Sequence, residues 1–347
     1  MPKLTERQLN ILEFIKQHNG ASNKAIKDYL KNASRITVNR DLRRLLLEKL
    51  IKKEGQGRGI RYFEASSGEP FRYFDAQEYF KKGPDERTVK YESFNFNIFK
   101  NLKEVFIKSE LNELNILNDD YKKRIKNLPP AIIKKEFERL TIDLSWKSSR
   151  IEGNTYSLLD TEILIKEHRE AEGHEKEEAI MILNHKKALD YIRNKKSDFK
   201  KITWRKIENI QRLIVEDLKV QTGLRKKPVG IIGTRYRPLD NEHQIKEAVE
   251  KTAVKINSFK DPFSKASAAI LLVSYLQPFE DGNKRTARLL GDALLSAYNA
   301  CPLSFRSINE ADYKKAIILF YEQNSLRFFK ELFIEQFKFA VRNYFLG

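Results

Sequence analysis

Apolar positions recur at helical spacing along most of this chain, and clusters of Gly, Pro and Ser divide them into units. Near the start, Leu9, Ile11, Leu12, Phe14 and Ile15 give a first helix an apolar face, which Asn19-Gly20 ends. Ser22 is placed to cap a second helix carrying Ile26, Tyr29 and Leu30. Ser34 is placed to cap a third, Arg35 to Leu50, with Ile36, Val38, Leu42, Leu45 and Leu46 turned inward. Lys52 and Lys53, the Gly55-Gln56-Gly57-Arg58-Gly59 turn and Ile60-Arg61-Tyr62-Phe63 then predict a two-stranded hairpin with a basic tip.

Ala65-Ser66-Ser67-Gly68-Glu69-Pro70 has the composition of a linker. Beyond it, Phe71, Tyr73, Phe74, Tyr79 and Phe80 form an aromatic cluster, and Phe94 to Asn118 has helical periodicity, so residues 67–135 are expected to be a linker and helical connector. From Lys135 onward the pattern is helical around 136–152, 158–195, 204–219, 243–258, 262–275, 284–299, 310–323 and 326–344. The exception is Thr222-Gly223-Leu224-Arg225, Val229-Gly230-Ile231-Ile232-Gly233 and Tyr236-Arg237-Pro238, which predict turn, strand, turn, strand. Phe328, Phe329, Phe333, Phe337, Phe339, Tyr344 and Phe345 make the last helix aromatic, suited to core packing or a homodimer face rather than to base stacking. The expected architecture is mainly α, an all-helical core at 136–347 with a small β-hairpin flap, preceded by a small α+β domain at 1–66.

Composition narrows the choices. The 347 residues are enough for two or three domains with real cores. One cysteine, Cys301, excludes an intramolecular disulfide framework and a cysteine-based zinc site. No apolar run approaches a membrane span and Met1-Pro2-Lys3-Leu4-Thr5 lacks a signal-peptide core, so a cytoplasmic location without membrane attachment is expected. The net charge is +18, and residues 1–64 hold 15 Lys or Arg against 7 Asp or Glu, a net of +8 in under a fifth of the length. That asymmetry points to a polyanion partner for the first unit.

The strongest chemical signal is Gln277-Pro278-Phe279-Glu280-Asp281-Gly282-Asn283-Lys284-Arg285-Thr286-Ala287-Arg288. Pro278 and Gly282 place a turn just before a helix, where backbone N–H groups face an incoming anion. Arg285 and Arg288 follow on one helix face, suited to further phosphate oxygens, and Asp281 is a hard oxygen ligand of the kind Mg²⁺ takes alongside phosphates. The set reads as a nucleoside triphosphate site, with Gly282, Asn283, Lys284, Arg285 and Arg288 as its nucleotide-binding residues.

This run resembles the signature of the Fic (Fido) family, His-Pro-Phe-x-Asp/Glu-Gly-Asn-Gly/Lys-Arg-x-x-Arg, at every specified position but the first. The resemblance covers about half the chain. It implies a protein adenylyltransferase scaffold that moves AMP from ATP, with Mg²⁺, to a hydroxyl of a target protein whose identity the chain does not reveal. It assigns Gln277, Asn283 and Arg285 to catalytic positions, with Gln277 where the family has its general base. Gln has no titratable group near neutral pH, so transfer is expected to suffer. The five histidines, His18, His168, His174, His185 and His243, are distant in sequence and none has a substitute's spacing. Upstream, Ser148-Ser149-Arg150-Ile151-Glu152-Gly153-Asn154 resembles the family's inhibitory motif, on a helix of about 140–154. By that resemblance Ser148, Glu152 and Gly153 are inhibitory residues, Glu152 pairing with Arg288. The 222–238 segment occupies the place of the family's flap, and Tyr313 and Asn324 the place of its adenine contacts.

The first unit resembles the winged helix domains of bacterial transcription regulators. The resemblance implies DNA binding through Arg35, Thr37, Asn39, Arg40 and Arg43 on the third helix and Arg58 at the wing tip, although the same layout also serves protein docking and dimerisation. Two functions remain open at this level, a restrained adenylyltransferase and a catalytically inactive, ATP-sensing, DNA-binding regulator.

Overall fold

A computed structural model describes residues 4–18, 20–48, 50–64 and 69–346. The expected 65–68 part of the linker, and Asn19 at the first helix end, lie outside the described residues.

The first unit consists of α1 (Glu6–Gln17), β1 (Ala21–Ser22), α2 (Asn23–Tyr29), α3 (Arg35–Leu47), β2 (Ile51–Glu54) and β3 (Arg61–Glu64). Both expected caps form: Ser22 Oγ accepts from Ala25 N at 3.1 Å, and Ser34 Oγ from Thr37 N at 3.1 Å. The strands make one antiparallel sheet in the order β1-β3-β2. Gly20 sits before β1 at φ +109°, where a Cβ would come within 2.3 Å of the Phe63 ring. Only glycine tolerates both that dihedral and that approach. Ile11, Ile15, Ile26, Val38, Leu42 and Leu45 fill the core, and buried Asp41 ties α3 to α1 through Arg7 Nε at 2.5 Å and Gln8 Nε2 at 2.9 Å.

Two expectations fail here. Ile36 is 81 % exposed rather than inward, because it stands about 200° around the helix from Val38. α3 ends at Leu47 rather than Leu50; Glu48 caps it, and Leu50 drops into the core as the chain turns towards β2.

The rest is helical: two short turns, α4 (Ala76–Tyr79) and α5 (Ile98–Asn101), then α6 (Lys108–Asn127), α7 (Pro130–Ile151), α8 (Leu158–Glu167), α9 (Lys176–Asn194) and α10 (Trp204–Ile214). They are followed by α11 (Glu242–Ser258), α12 (Pro262–Leu276), α13 (Asn283–Ala297), α14 (Glu310–Gln323) and α15 (Arg327–Asn343). α12 is buried on every side, as an apolar helix at the centre of a core must be. α13 crosses it closely at Gly291, where a Cβ would lie 2.8 Å from Ile270 Cδ1. Residues 94–128 share this core, and a buried Glu110–Lys330 pair at 2.7 Å fastens α6 to α15. Phe329, Phe333 and Phe337 are buried, so α15 spends those rings on the core.

Three expected helices are interrupted. The 158–195 pattern splits into α8 and α9 at His168, which takes a left-handed φ of 56°. The Phe94–Asn118 pattern becomes α5 and α6, and the 204–219 helix stops at Ile214, with Asp217 and Lys219 at positive φ beyond it. The expected β-hairpin flap is an extended loop, because its backbone groups pair elsewhere. Arg225 N donates to Pro278 O, Arg237 N donates to Glu92 O, and Ser93 and Arg237 form a single parallel bridge. Arg87, buried against Glu322 at 2.8 Å, also donates to Gly233 O and anchors the loop to α14. No helix among the described residues is long and apolar enough to cross a membrane.

Candidate functional site

The turn between α12 and α13 is built from its own side chains. Gln277 closes α12 at φ 49°, and its Nε2 donates to Ser274 O at 2.6 Å and to Tyr321 Oη at 3.4 Å. Arg225 Nε donates to Gln277 O at 2.7 Å. The Gln277 amide is thus folded against the helix end, with no proton-accepting side chain in its place. Asn283 clamps the turn: Oδ1 accepts from Phe279 N at 2.9 Å and Nδ2 donates to Phe279 O at 2.8 Å. Gly282 precedes α13 at φ 79°, where a Cβ would press on Ile214 and Val215 at 3.1 Å.

Gly282 offers no capping side chain, so the first-turn N–H groups of α13 stand uncapped at a cavity of about 430 Å³. Glu152, Gln277, Asp281–Arg285, Tyr313, Tyr321 and the Val229–Ile232 loop line it. The expected nucleotide residues 282–285 therefore converge, but their roles differ. Asp281 Oδ2 pairs with Arg285 Nη2 at 2.8 Å, while Arg285 Nη1 is buried with no hydrogen-bond partner among the described residues. An unpaired buried guanidinium nitrogen beside a helix N-terminus is a place for an anion's oxygen. Asp281 is half exposed at the rim and suits a cation that takes one carboxylate and phosphate oxygens. No group of three or more potential metal ligands occurs among the described residues.

Arg288 is fully buried behind this cavity, and every arm of its guanidinium is engaged by α7. Nη1 donates to Glu152 Oε1 at 2.9 Å, Nε to Ser148 Oγ at 2.9 Å and Nη2 to Ser148 O at 2.8 Å. Its guanidinium carbon lies 5.5 Å from the centre of the Tyr313 ring. Lys284 Nζ stands 3.7 Å from Glu152 Oε2. Burial alone would raise the Glu152 pKa, but the Arg288 and Lys284 charges hold it below the usual carboxylate range. Glu152 ends α7 and Gly153 follows at φ 109°, so the chain leaves sharply once the carboxylate is placed.

Sequence reasoning missed His185. Its Nδ1 lies 2.9 Å from Met181 O, an acceptor only, so Nδ1 carries the proton. Nε2, 2.8 Å from Ser148 Oγ, then accepts the Ser148 hydroxyl, whose lone pair takes the Arg288 Nε–H. Burial, with Arg285 and Arg288 nearby, pushes the imidazole pKa down to about 3, so the ring is neutral. Its one sequence signal was a histidine on the apolar face of α9.

Asn324 corrects another expectation. It is fully buried, with Oδ1 accepting from Asn95 Nδ2 at 2.9 Å and Nδ2 donating to Phe320 O at 3.0 Å, and it is not among the residues that line the cavity with Tyr313.

On the first unit, Arg35, Asn39, Arg40 and Arg43 are exposed along α3, Arg40 and Arg43 opposite its buried face, and Thr37 is half-buried against Ser34 Oγ at 2.9 Å. The Arg58 side chain lies outside the described part of the structure. At the other end of α3, Glu48 forms a nearly buried 2.5 Å pair with Arg327 of α15.

Residues 201–295 match the model of the Fic/DOC family. The fold is similar to that of Fic-1 from C. elegans at 19 % identity and a TM-score of 0.57, covering 68 % of this chain and 70 % of that one. It is similar to a Fic domain containing signaling protein from Bacteroides thetaiotaomicron at 19 % identity and TM-score 0.56, covering 66 % of this chain and 95 % of that one. A Fic family protein from Desulfovibrio desulfuricans matches at 18 % identity and TM-score 0.58, over 68 % of this chain and 74 % of that one. No curated protein matches the sequence.

Proposed function

We propose that this chain, which contains a Fic/DOC domain, is an ATP-binding regulator whose nucleotide pocket is restrained by Glu152 and whose first unit is a winged helix domain that holds DNA. The observation that carries the nucleotide reading is the pair of arginines on α13. Arg285 has an unpartnered buried nitrogen beside the uncapped helix start, and Arg288 has a carboxylate in the position of an anion. α- and β-phosphate oxygens would meet the first-turn N–H groups and Arg285, and a γ-phosphate would compete with Glu152 for Arg288. Asp281 would hold Mg²⁺, which supplies charge neutralisation to the phosphates.

AMP transfer, common in this family, is the weaker part of the chemistry here. The position that needs a base holds an amide already hydrogen-bonded to Ser274 and Tyr321, and loss of such a base costs about 10²- to 10⁴-fold. A second reading, a slow adenylyltransferase, is favoured by the otherwise complete clamp of Asn283 and Gly282. Incubation with α-labelled ATP and Mg²⁺ separates the two. The regulator reading expects ATP binding without label on the unaltered chain or on Glu152→Gly, and label, if any, only when Gln277→His is also present. Label on the unaltered chain would overturn it, as would absence of ATP binding by Glu152→Gly.

A further inference from the structure

A second cavity, of about 670 Å³, lies among α6, α7, α9 and the end of α13, and shares no lining residue with the pocket at the 277–285 turn. Its size is that of a site for a drug-sized molecule. Ile133, Phe137 and Leu140 of α7, with Leu189 and Ile192 of α9, make apolar walls. Lys122, Arg193 and Lys196 stand exposed at its edge and give the mouth a positive charge. Arg193 also pairs with Asp190 at 2.9 Å, and Lys196 Nζ lies 3.3 Å from Asn299 Oδ1.

One lining residue has no account in the packing. Asp292 is 2 % exposed; its Oδ1 accepts from Leu303 N at 2.8 Å, while Oδ2 has no hydrogen-bond partner among the described residues. A structural role in the 301–303 turn explains the first oxygen and leaves the second. Buried polar atoms without partners are rare enough to ask what meets them.

We infer that this cavity binds a small amphipathic organic anion, with its apolar body against α7 and α9, its charge at the Lys122–Arg193–Lys196 mouth, and an acceptor oxygen meeting Asp292. Burial raises the Asp292 pKa, which favours its protonated form, and in that form Oδ2 has an O–H to donate. Two of its helices also serve the other pocket, at different residues. α7 runs from Phe137 and Leu140 in this wall to Ser148 and Glu152, and Asp292 lies one turn beyond Arg288 on α13.

The test uses the full chain and 8-anilinonaphthalene-1-sulfonate, an aromatic sulfonate whose fluorescence reports burial. Saturable one-to-one binding is expected, weakened about tenfold or more by Lys122→Glu with Arg193→Glu, lost in Leu189→Trp, and unaffected by excess ATP. As competitors, 4-benzoylbenzoate should displace the probe more tightly than 4-benzylbenzoate, by about fivefold, since only the former has a carbonyl for Asp292. Asp292→Asn, which keeps a donor and the Leu303 contact, should preserve that difference, and Asp292→Leu should erase it. Binding that does not saturate, that survives the exposed charge reversals, that ATP displaces, or that ignores the carbonyl overturns the proposal. If Leu189→Trp lowers the melting temperature, the charge reversals, on exposed side chains, decide the outcome.

Discussion

The Ser148 hydroxyl lies between His185 Nε2 at 2.8 Å and Arg288 Nε at 2.9 Å, so a neutral imidazole helps set the orientation of the serine that grips the arginine. Glu152 meets the same guanidinium at Nη1, and the four residues form one buried network at the end of α7. Networks of this kind gain from complete satisfaction and lose disproportionately when one member goes.

Glu152→Gln should therefore destabilise the nucleotide-free protein by about 1 to 3 kcal/mol, because Arg288 keeps its burial and loses its counter-charge. The same change should raise ATP affinity about tenfold or more by removing the negative charge that competes with the phosphate for Arg288. Thermal melts with and without Mg·ATP check both: a lower melting temperature in the apo form, and a larger upshift with nucleotide than the unaltered chain shows.

His185 should make stability depend on pH. With the folded imidazole pushed down to about 3 and an unfolded histidine near about 6.5, the unfolded chain binds a proton between these values that the folded chain refuses. Its contribution is whole above about pH 6.5 and is lost as pH falls, at about 1.4 kcal/mol per unit. Glu152, with a lowered pKa, loses its contribution in the same direction but at lower pH, below the ordinary carboxylate value. Urea unfolding at pH 7, 6 and 5 should show a shallower pH slope for His185→Gln; equal slopes would mean that the ring is not held neutral.

Arg285→Gln should weaken Mg·ATP binding about 10- to 100-fold, the worth of a charge-assisted phosphate contact. Titration calorimetry measures it, and unchanged affinity would remove Arg285 from the site.

Arg40→Ala should lower affinity for duplex DNA about equally across sequences and reduce the slope of log affinity against log salt by about one, if its guanidinium meets a phosphate. Loss confined to one base position would make it a base contact instead, and no change would leave the exposed face of α3 without a DNA role. Fluorescence anisotropy at several salt concentrations separates these outcomes.

Much of the local structure was legible because its parts are close in sequence. Ser22 and Ser34 cap their helices from adjacent positions, and Gly282 sits where the backbone must turn. Ile36 was misread because its face depends on which side of α3 meets the core, and an apolar residue next to an inward one does not reveal that. The flap was misread for a related reason: alternating residues predict extended backbone, whereas the partners of that backbone, Arg87, Glu92 and Pro278, come from distant segments.

By itself the sequence determined the helical class, the basic first unit, and the run from Gln277 to Arg288 with an amide in the leading place, since each depends on residue type and short spacing. Only the tertiary structure decided that His185 sits behind Ser148, that the Asn324 amide is spent on Asn95 and Phe320, that Arg285 is left with an unpartnered nitrogen, and that Asp292 lines a second cavity. Those are relations between helices far apart in the chain. They follow from which faces pack together, and packing is settled by the whole core at once.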